Sequence, residues 1–284
     1  MNTYAQQRRI LTSIFSIWAA AWPVFAAAAE VADIKVRRTG DQIRYGLIGE
    51  IQPVPATTLF LLAHGIEEMQ RQPVYTEVAR ILARHGWISV IIEPPCHGED
   101  ERAGEPVQLN GWRQRLEQGE DLIAPLTVKT RSVLESLVKE GTTDPTRIAV
   151  CGTSRGGFLA VHLAAVEPRF KAVAAISPVT RLLALSEFSR TTGRTQAEML
   201  DLTRLAPQLT DRAVWVSIGN NDQRVQTDDA ITFTREVVRA AARTDKPDAI
   251  IPVELIVAPT PGHAKIDQAH ELLATWLLKQ FPAK

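Results

Sequence analysis

The segment Gly152-Thr153-Ser154-Arg155-Gly156 has the residue types and spacing of an activated nucleophile. Residues 147–151 read as a short strand. Residues 158–166, rich in alanine and leucine, read as a helix. A serine on the sharp turn between them is exposed on a strained backbone, and its neighbours two positions away must be small to avoid clashes. The helix N-terminus behind it offers free backbone N–H groups to a developing oxyanion. These are the parts of acyl-transfer chemistry, although so short a pattern also fits a purely structural turn.

Serine attacks poorly until a base takes its proton, and the base needs a carboxylate to fix its tautomer. Six histidines are available: His64, His85, His97, His162, His263 and His270. His85 and His162 fall within or at the end of predicted helices. His270 falls inside the last predicted helix, where a surface histidine is the simpler expectation. His263 lies in Pro261-Gly262-His263, between the last predicted strand and that helix. For the carboxylate, Asp222 follows a predicted strand at 213–218. Asp228 and Asp229 are alternatives that read more simply as first-turn acids favoured by the helix dipole.

Such residues must be held by the elements around them. Residues 34–36 and 43–51 suggest a hairpin turning at Thr39-Gly40-Asp41. Apolar runs at 57–63, 87–92, 147–151, 172–176, 213–218 and 251–257 suggest six further strands. Helical spacing appears at 73–85 (Val78, Ile81, Leu82), at 121–140 (Leu122, Leu126, Val133, Leu134, Leu137), at 158–166, at 227–243 and at 265–280. Apolar strands alternating with helices predict an α/β fold, with a mostly parallel sheet covered on both faces. Ligands bind such sheets at the carboxyl ends of the strands. The residues found there are His64-Gly65-Ile66, Pro95-Cys96-His97-Gly98, Ser154, Ser177-Pro178, Asn220-Asn221-Asp222 and Gly262-His263.

With the serine turn so flanked, residues from about 57 onward resemble the α/β-hydrolase superfamily, and most of all its dienelactone hydrolase and prolyl-oligopeptidase-like branches. The resemblance implies the α/β-hydrolase fold and a triad in the order Ser154, Asp222, His263. It implies an oxyanion hole made by the backbone N–H of Arg155 and a second donor in the loop after an earlier strand. Ile66 is assigned as that donor, with Gly65 as runner-up and His64 beside it. The implied reaction runs through an acyl-enzyme without metal or cofactor, and no run of His, Cys, Asp and Glu has metal-ligand spacing.

Arg155 is an unusual residue to follow the nucleophile. Its guanidinium would either hold an anionic substrate group or pair with an acid such as Glu93. Residues 99–119 and 180–211 are long enough to be small caps over the site, or surface packing. Both are too short for a separate propeller domain. His64, Gly65 and Trp112 are expected to touch substrate, with Phe188 and Met199 as further pocket candidates.

The first 29 residues read differently from the rest. Arg8 and Arg9 precede an apolar run and a small-residue stretch ending at Ala29, which matches an export leader cleaved near Ala28 or Ala29; an uncleaved anchor is the alternative. Residues 30–284 then form one catalytic domain, with 30 basic and 32 acidic residues and a formal charge of −2. No later stretch is apolar enough to span a membrane, and no basic excess suggests a nucleic-acid partner. Export would permit a disulfide between Cys96 and Cys151; the alternative is two free thiols, with Cys151 packed as a small hydrophobe. The expected function is hydrolysis of a small-molecule carboxylic ester in the periplasm or outside the cell. A peptidase with the same triad and a non-catalytic binding protein are the competing readings.

Overall fold

The computed structural model describes residues 34–244 and 250–283; the expected leader lies outside them. Strands β1 (Lys35–Arg38) and β2 (Arg44–Ile48) form the opening hairpin, closed by hydrogen bonds between Thr39, Gln42 and Ile43. They are followed by β3 (Ala56–Leu62), β4 (Ile88–Ile91), β5 (Thr143–Thr153), β6 (Phe170–Ile176), β7 (Ala213–Gly219) and β8 (Val253–Ala258). The sheet order is β1-β2-β4-β3-β5-β6-β7-β8. β1–β2 and β2–β4 are antiparallel, and every later pairing is parallel.

Eight α-helices lie among the described residues. They are α1 (Ile66–Arg71), α2 (Glu77–Ala83), α3 (Gln108–Glu117), α4 (Ile123–Lys139), α5 (Arg155–Val166), α6 (Arg194–Met199), α7 (Thr227–Ala242) and α8 (Ala269–Gln280). The apolar strand runs are explained by burial on both faces. Phe60 and Leu62 of β3 enter one core with Val150, Phe158, Val133 and Phe233, under α4, α5 and α7. Leu59 and Leu61 enter the other with Val78, Leu82, Trp215, Leu273 and Leu277, under α2 and α8. Side chains alternate across a strand, so one continuous apolar run serves both layers.

The structure refines several boundaries. The helix expected at 73–85 begins as a 3-10 turn at Pro73–Thr76, because proline is accepted at a helix start but not in its interior. The final helix starts at Ala269 rather than 265. α1, α3 and α6 lie where loops were expected, and each is short or weakly amphipathic in sequence. Cys96 and Cys151 are both free and buried. Burial pushes the Cys96 thiol up to about 12, so it stays protonated.

Candidate active site

β5 ends at Thr153 and α5 begins at Arg155, leaving Ser154 alone on the turn at φ 54° and ψ −116°. Positive φ is unfavourable for a residue with a Cβ, and such strain costs about 1–3 kcal/mol unless its surroundings hold it. Here they do. The Ser154 N–H donates to Ile176 O at 2.8 Å, and its carbonyl accepts from Val179 N at 3.1 Å and Phe158 N at 3.2 Å. The flanking glycines are needed for close approach. A Cβ on Gly156 would lie 1.9 Å from Leu62 O of β3, and one on Gly152 would lie 2.2 Å from the Gly156 carbonyl.

Asp222 and His263 come from the loops after β7 and β8. Asp222 is 2% exposed. Its Oδ1 accepts from the backbone N–H groups of Arg224 (2.9 Å) and Val225 (3.2 Å), which aims Oδ2 at His263 Nδ1, 2.7 Å away. A carboxylate at Nδ1 keeps the proton there, so Nε2 is left to accept from the Ser154 hydroxyl at 3.0 Å. Asp228 and Asp229 sit in the first turn of α7, where Asp229 pairs with Arg181 at 2.8 Å.

The other histidines are placed differently. His85 is exposed. His97, His162 and His270 are buried, and burial lowers each to about 4, so all three are neutral near pH 7. His270 is therefore not a surface residue. It is 2% exposed and lines the same cavity as Ser154, because α8 turns that face inward against α2.

The loop after β3 departs from expectation. The Ile66 N–H, assigned to the oxyanion, donates instead to Glu93 Oε1 at 3.1 Å. Glu93 is 2% exposed; it also accepts from Glu99 N at 3.3 Å and from Arg44 Nη1 at 3.0 Å. A buried carboxylate needs such donors, and the first turn of α1 supplies one. Gly65 packs against Gly98 and Glu93 on the far side of the loop, while Ala63 and His64 face the serine. On the other side of the cleft, Arg155 is the first residue of α5, where helix N–H groups have no intrahelical acceptor.

The serine opens into a cavity of about 440 Å³. Its lining includes His64, Arg155, His263, the His270 expected at the surface, and residues that sequence alone did not mark: Tyr75, Gln108, Leu109, Arg224 and Lys265. These come from the 3-10 turn before α2, from α3 and from the loops after β7 and β8, and no motif signals them. Trp112, expected to touch substrate, does not line the cavity. It is fully buried, with its indole N–H donating to Pro95 O at 2.7 Å, because α3 turns that face onto the core. Phe188 is 1% exposed and packs in the core, and Met199 is 59% exposed; neither lines the cavity. Glu93 does not pair with Arg155, since Arg44 occupies it. No cluster of three or more metal-ligating side chains occurs among the described residues.

Known proteins share this architecture. A family model described as "Putative esterase" matches residues 66–251, a span that includes Ser154 and Asp222 and ends before His263. No curated protein matches the sequence. A puromycin-hydrolyzing peptidase of Mycobacterium tuberculosis superposes with TM-score 0.65 at 15% identity, covering 90% of this chain and 40% of that one. TT1662 of Thermus thermophilus gives 0.64 at 16% identity, with 88% and 99% covered. A cold-adapted esterase from an Arctic intertidal metagenomic library gives 0.59 at 17% identity, with 87% and 92% covered. The chain spans only 35% to 40% of the first peptidase structures it matches. These likenesses establish the α/β-hydrolase fold. With the family match extending over more than half of its residues, the chain belongs to this esterase family of hydrolases.

Proposed function

We propose that the protein is a serine hydrolase that cleaves carboxylic esters of small or medium-sized substrates through an acyl-enzyme. The observation that carries this reading is the continuous line of hydrogen bonds from Asp222 through His263 to Ser154, at 2.7 and 3.0 Å. His263 Nε2 takes the hydroxyl proton as Ser154 Oγ attacks the ester carbonyl. Asp222 stabilises the imidazolium, and His263 then returns the proton to the departing alcohol oxygen. Water, activated by the same histidine, attacks the acyl-enzyme and restores the serine. The oxyanion is met by the Arg155 N–H. The second donor comes from the Ala63–His64 turn, which lines the cavity, in place of Ile66.

A peptidase with the same machinery is the second reading, favoured by the peptidases among the structural relatives. Among the described residues lining the cavity there is no Asp or Glu to hold a free amino terminus, which weighs against an aminopeptidase but not against a peptidase that takes blocked amino termini. Residues 1–29 act, in this proposal, as an export leader, placing the enzyme in the periplasm or outside the cell.

Labelling with a fluorophosphonate probe, followed by peptide mass spectrometry, tests the assignment. The probe is expected on Ser154, and labelling at another residue refutes the triad. Intact mass of the same exported, labelled protein shows whether residues 1–29 have been removed. Turnover of p-nitrophenyl esters but not of aminoacyl amides separates esterase from peptidase.

A further inference from the structure

Two guanidinium groups face the cavity, and their surroundings differ. Arg224 is neutralised: Nη2 and Nη1 both donate to the Glu187 carboxylate, at 2.5 and 2.8 Å. Arg155 makes no ion pair with an acid among the described residues; it senses Glu187 only at longer range, against the opposing charge of Arg224 that Glu187 already pairs with. Its Nη2 donates to the His64 ring at 2.8 Å, and its Nε is buried with no hydrogen-bond partner. Lys265, also at the cavity, lies 3.9 Å from Glu77. No Asp or Glu is among the described lining residues.

The His64 contact positions Arg155 without cancelling its charge. Burial, and then the neighbouring Arg155 cation, push His64 down to about 4, so the ring is neutral and accepts as a lone pair. The ring is itself held, with Tyr75 at 4.7 Å and His97 at 5.9 Å between centroids. A carboxylate in place of His64 would hold the guanidinium equally well and neutralise it. The chain instead keeps a cation without an ion-pair partner next to its nucleophile, although burying such a charge is unfavourable.

We propose that the substrate is an ester bearing a carboxylate, and that Arg155 holds this carboxylate beside the scissile bond. The inference rests on the serine-esterase reading and adds the substrate's charge to it. The planar guanidinium matches a carboxylate through paired N–H donors, and the substrate supplies the negative charge the cavity lacks. Discrimination follows from desolvation. A neutral ester leaves the buried guanidinium unpaired, whereas an anionic one pairs with it.

The test uses esters of matched shape and different charge. Monomethyl succinate and methyl succinamate differ in the acyl half; acetoxyacetate and acetoxyacetamide differ in the alcohol half. The wild type is expected to favour the anionic member of one pair by about tenfold or more in kcat/KM, and the favoured pair identifies which half carries the charge. Arg155→Met should lower that ratio about tenfold or more. His64→Asp should lower it too while keeping the guanidinium, because it neutralises the cation in place. Succinate binding to Ser154→Ala, measured by calorimetry, should weaken when Arg155→Met is added, a readout independent of turnover. Equal losses on both members of each pair, or no wild-type preference in either pair, would overturn the proposal. If Ser154 is labelled and esters are cleaved without charge preference, the inference fails and the esterase reading stands. If no ester is cleaved and no serine is labelled, the esterase reading itself fails.

Discussion

The two sides of the cleft are built on different principles. On one side, Ser154, Asp222 and His263 follow the ends of parallel strands: backbone bonds to Ile176, Val179 and Phe158 hold Ser154, and backbone N–H groups of its own loop aim Asp222 at His263. On the other, the turn after β3 is organised by Glu93, 27 residues away from Ile66, and by Arg44 on an antiparallel strand. The first side puts polar side chains into the cavity. The second consumes its hydrogen bonds in holding itself together, and it presents backbone and a neutral His64, whose ring reaches across to hold Arg155. Reacting groups and scaffold are thus separated across the site.

Changing one carboxylate on each side should therefore have opposite signatures. Asp222→Asn keeps an acceptor for the Arg224 and Val225 N–H groups but turns an amide donor or a poorer acceptor toward His263. The imidazole then loses its fixed tautomer and its counter-charge. A fall in kcat of about 10³–10⁴-fold is expected, with little change in folding stability. A loss below about tenfold would show that the strand-end side is not where the chemistry occurs.

The contrast also explains what could be read from the sequence. The serine turn, Asp222 and His263 are marked by short local patterns: glycines two residues either side of a serine, and polar residues directly after apolar strands. The parallel sheet was legible because β3 to β7 bury apolar residues on both faces. The β3 turn was not legible. Its loop pattern fits an oxyanion donor, but whether the Ile66 N–H is free depends on Glu93, which no local signal ties to it. Trp112 misled for a related reason. It lies in a polar segment that reads as a lid, yet α3 buries one face and the indole N–H finds Pro95. Tyr75 and Arg224 reach the cavity through tertiary placement alone.

Glu93→Ala tests the scaffold side. It removes the acceptor of the Ile66 N–H in a buried setting, and that of the Glu99 N–H and one partner of Arg44 in a partly buried one. Breaking such a buried network should cost about 3 kcal/mol in denaturant unfolding, because the remaining partners are left unsatisfied. Arg44 also pairs with Glu67, which limits the loss. Fluorophosphonate labelling of Ser154 should persist in the folded fraction. Unchanged stability together with a hundredfold or larger loss of kcat would instead place Glu93 in the chemistry.

The smallest effect concerns acid. The folded protein keeps His64 neutral down to about 4, first through burial and then through Arg155; Glu68 pulls the other way, and neutral His97 and Tyr75 pack on the ring. The unfolded chain takes up this proton near the ordinary value of about 6.5. Between these two values the unfolded state binds more protons, so stability falls as pH is lowered. The contribution is complete above about pH 6.5 and lost as pH approaches 4, amounting to about 2 kcal/mol after allowing for the partial exposure of the ring. His97, His162 and His270 act in the same direction, so the wild type alone does not isolate His64. His64→Gln does. Its unfolding free energy, measured by denaturant titration from pH 7 to 5, should fall less steeply than that of the wild type by up to about 1.4 kcal/mol per pH unit. That window lies above ordinary carboxylate titration, so acids contribute little to the difference. Identical slopes would mean that His64 is not held neutral, and the cation beside Ser154 would then lack the uncharged partner that leaves its charge free for a substrate.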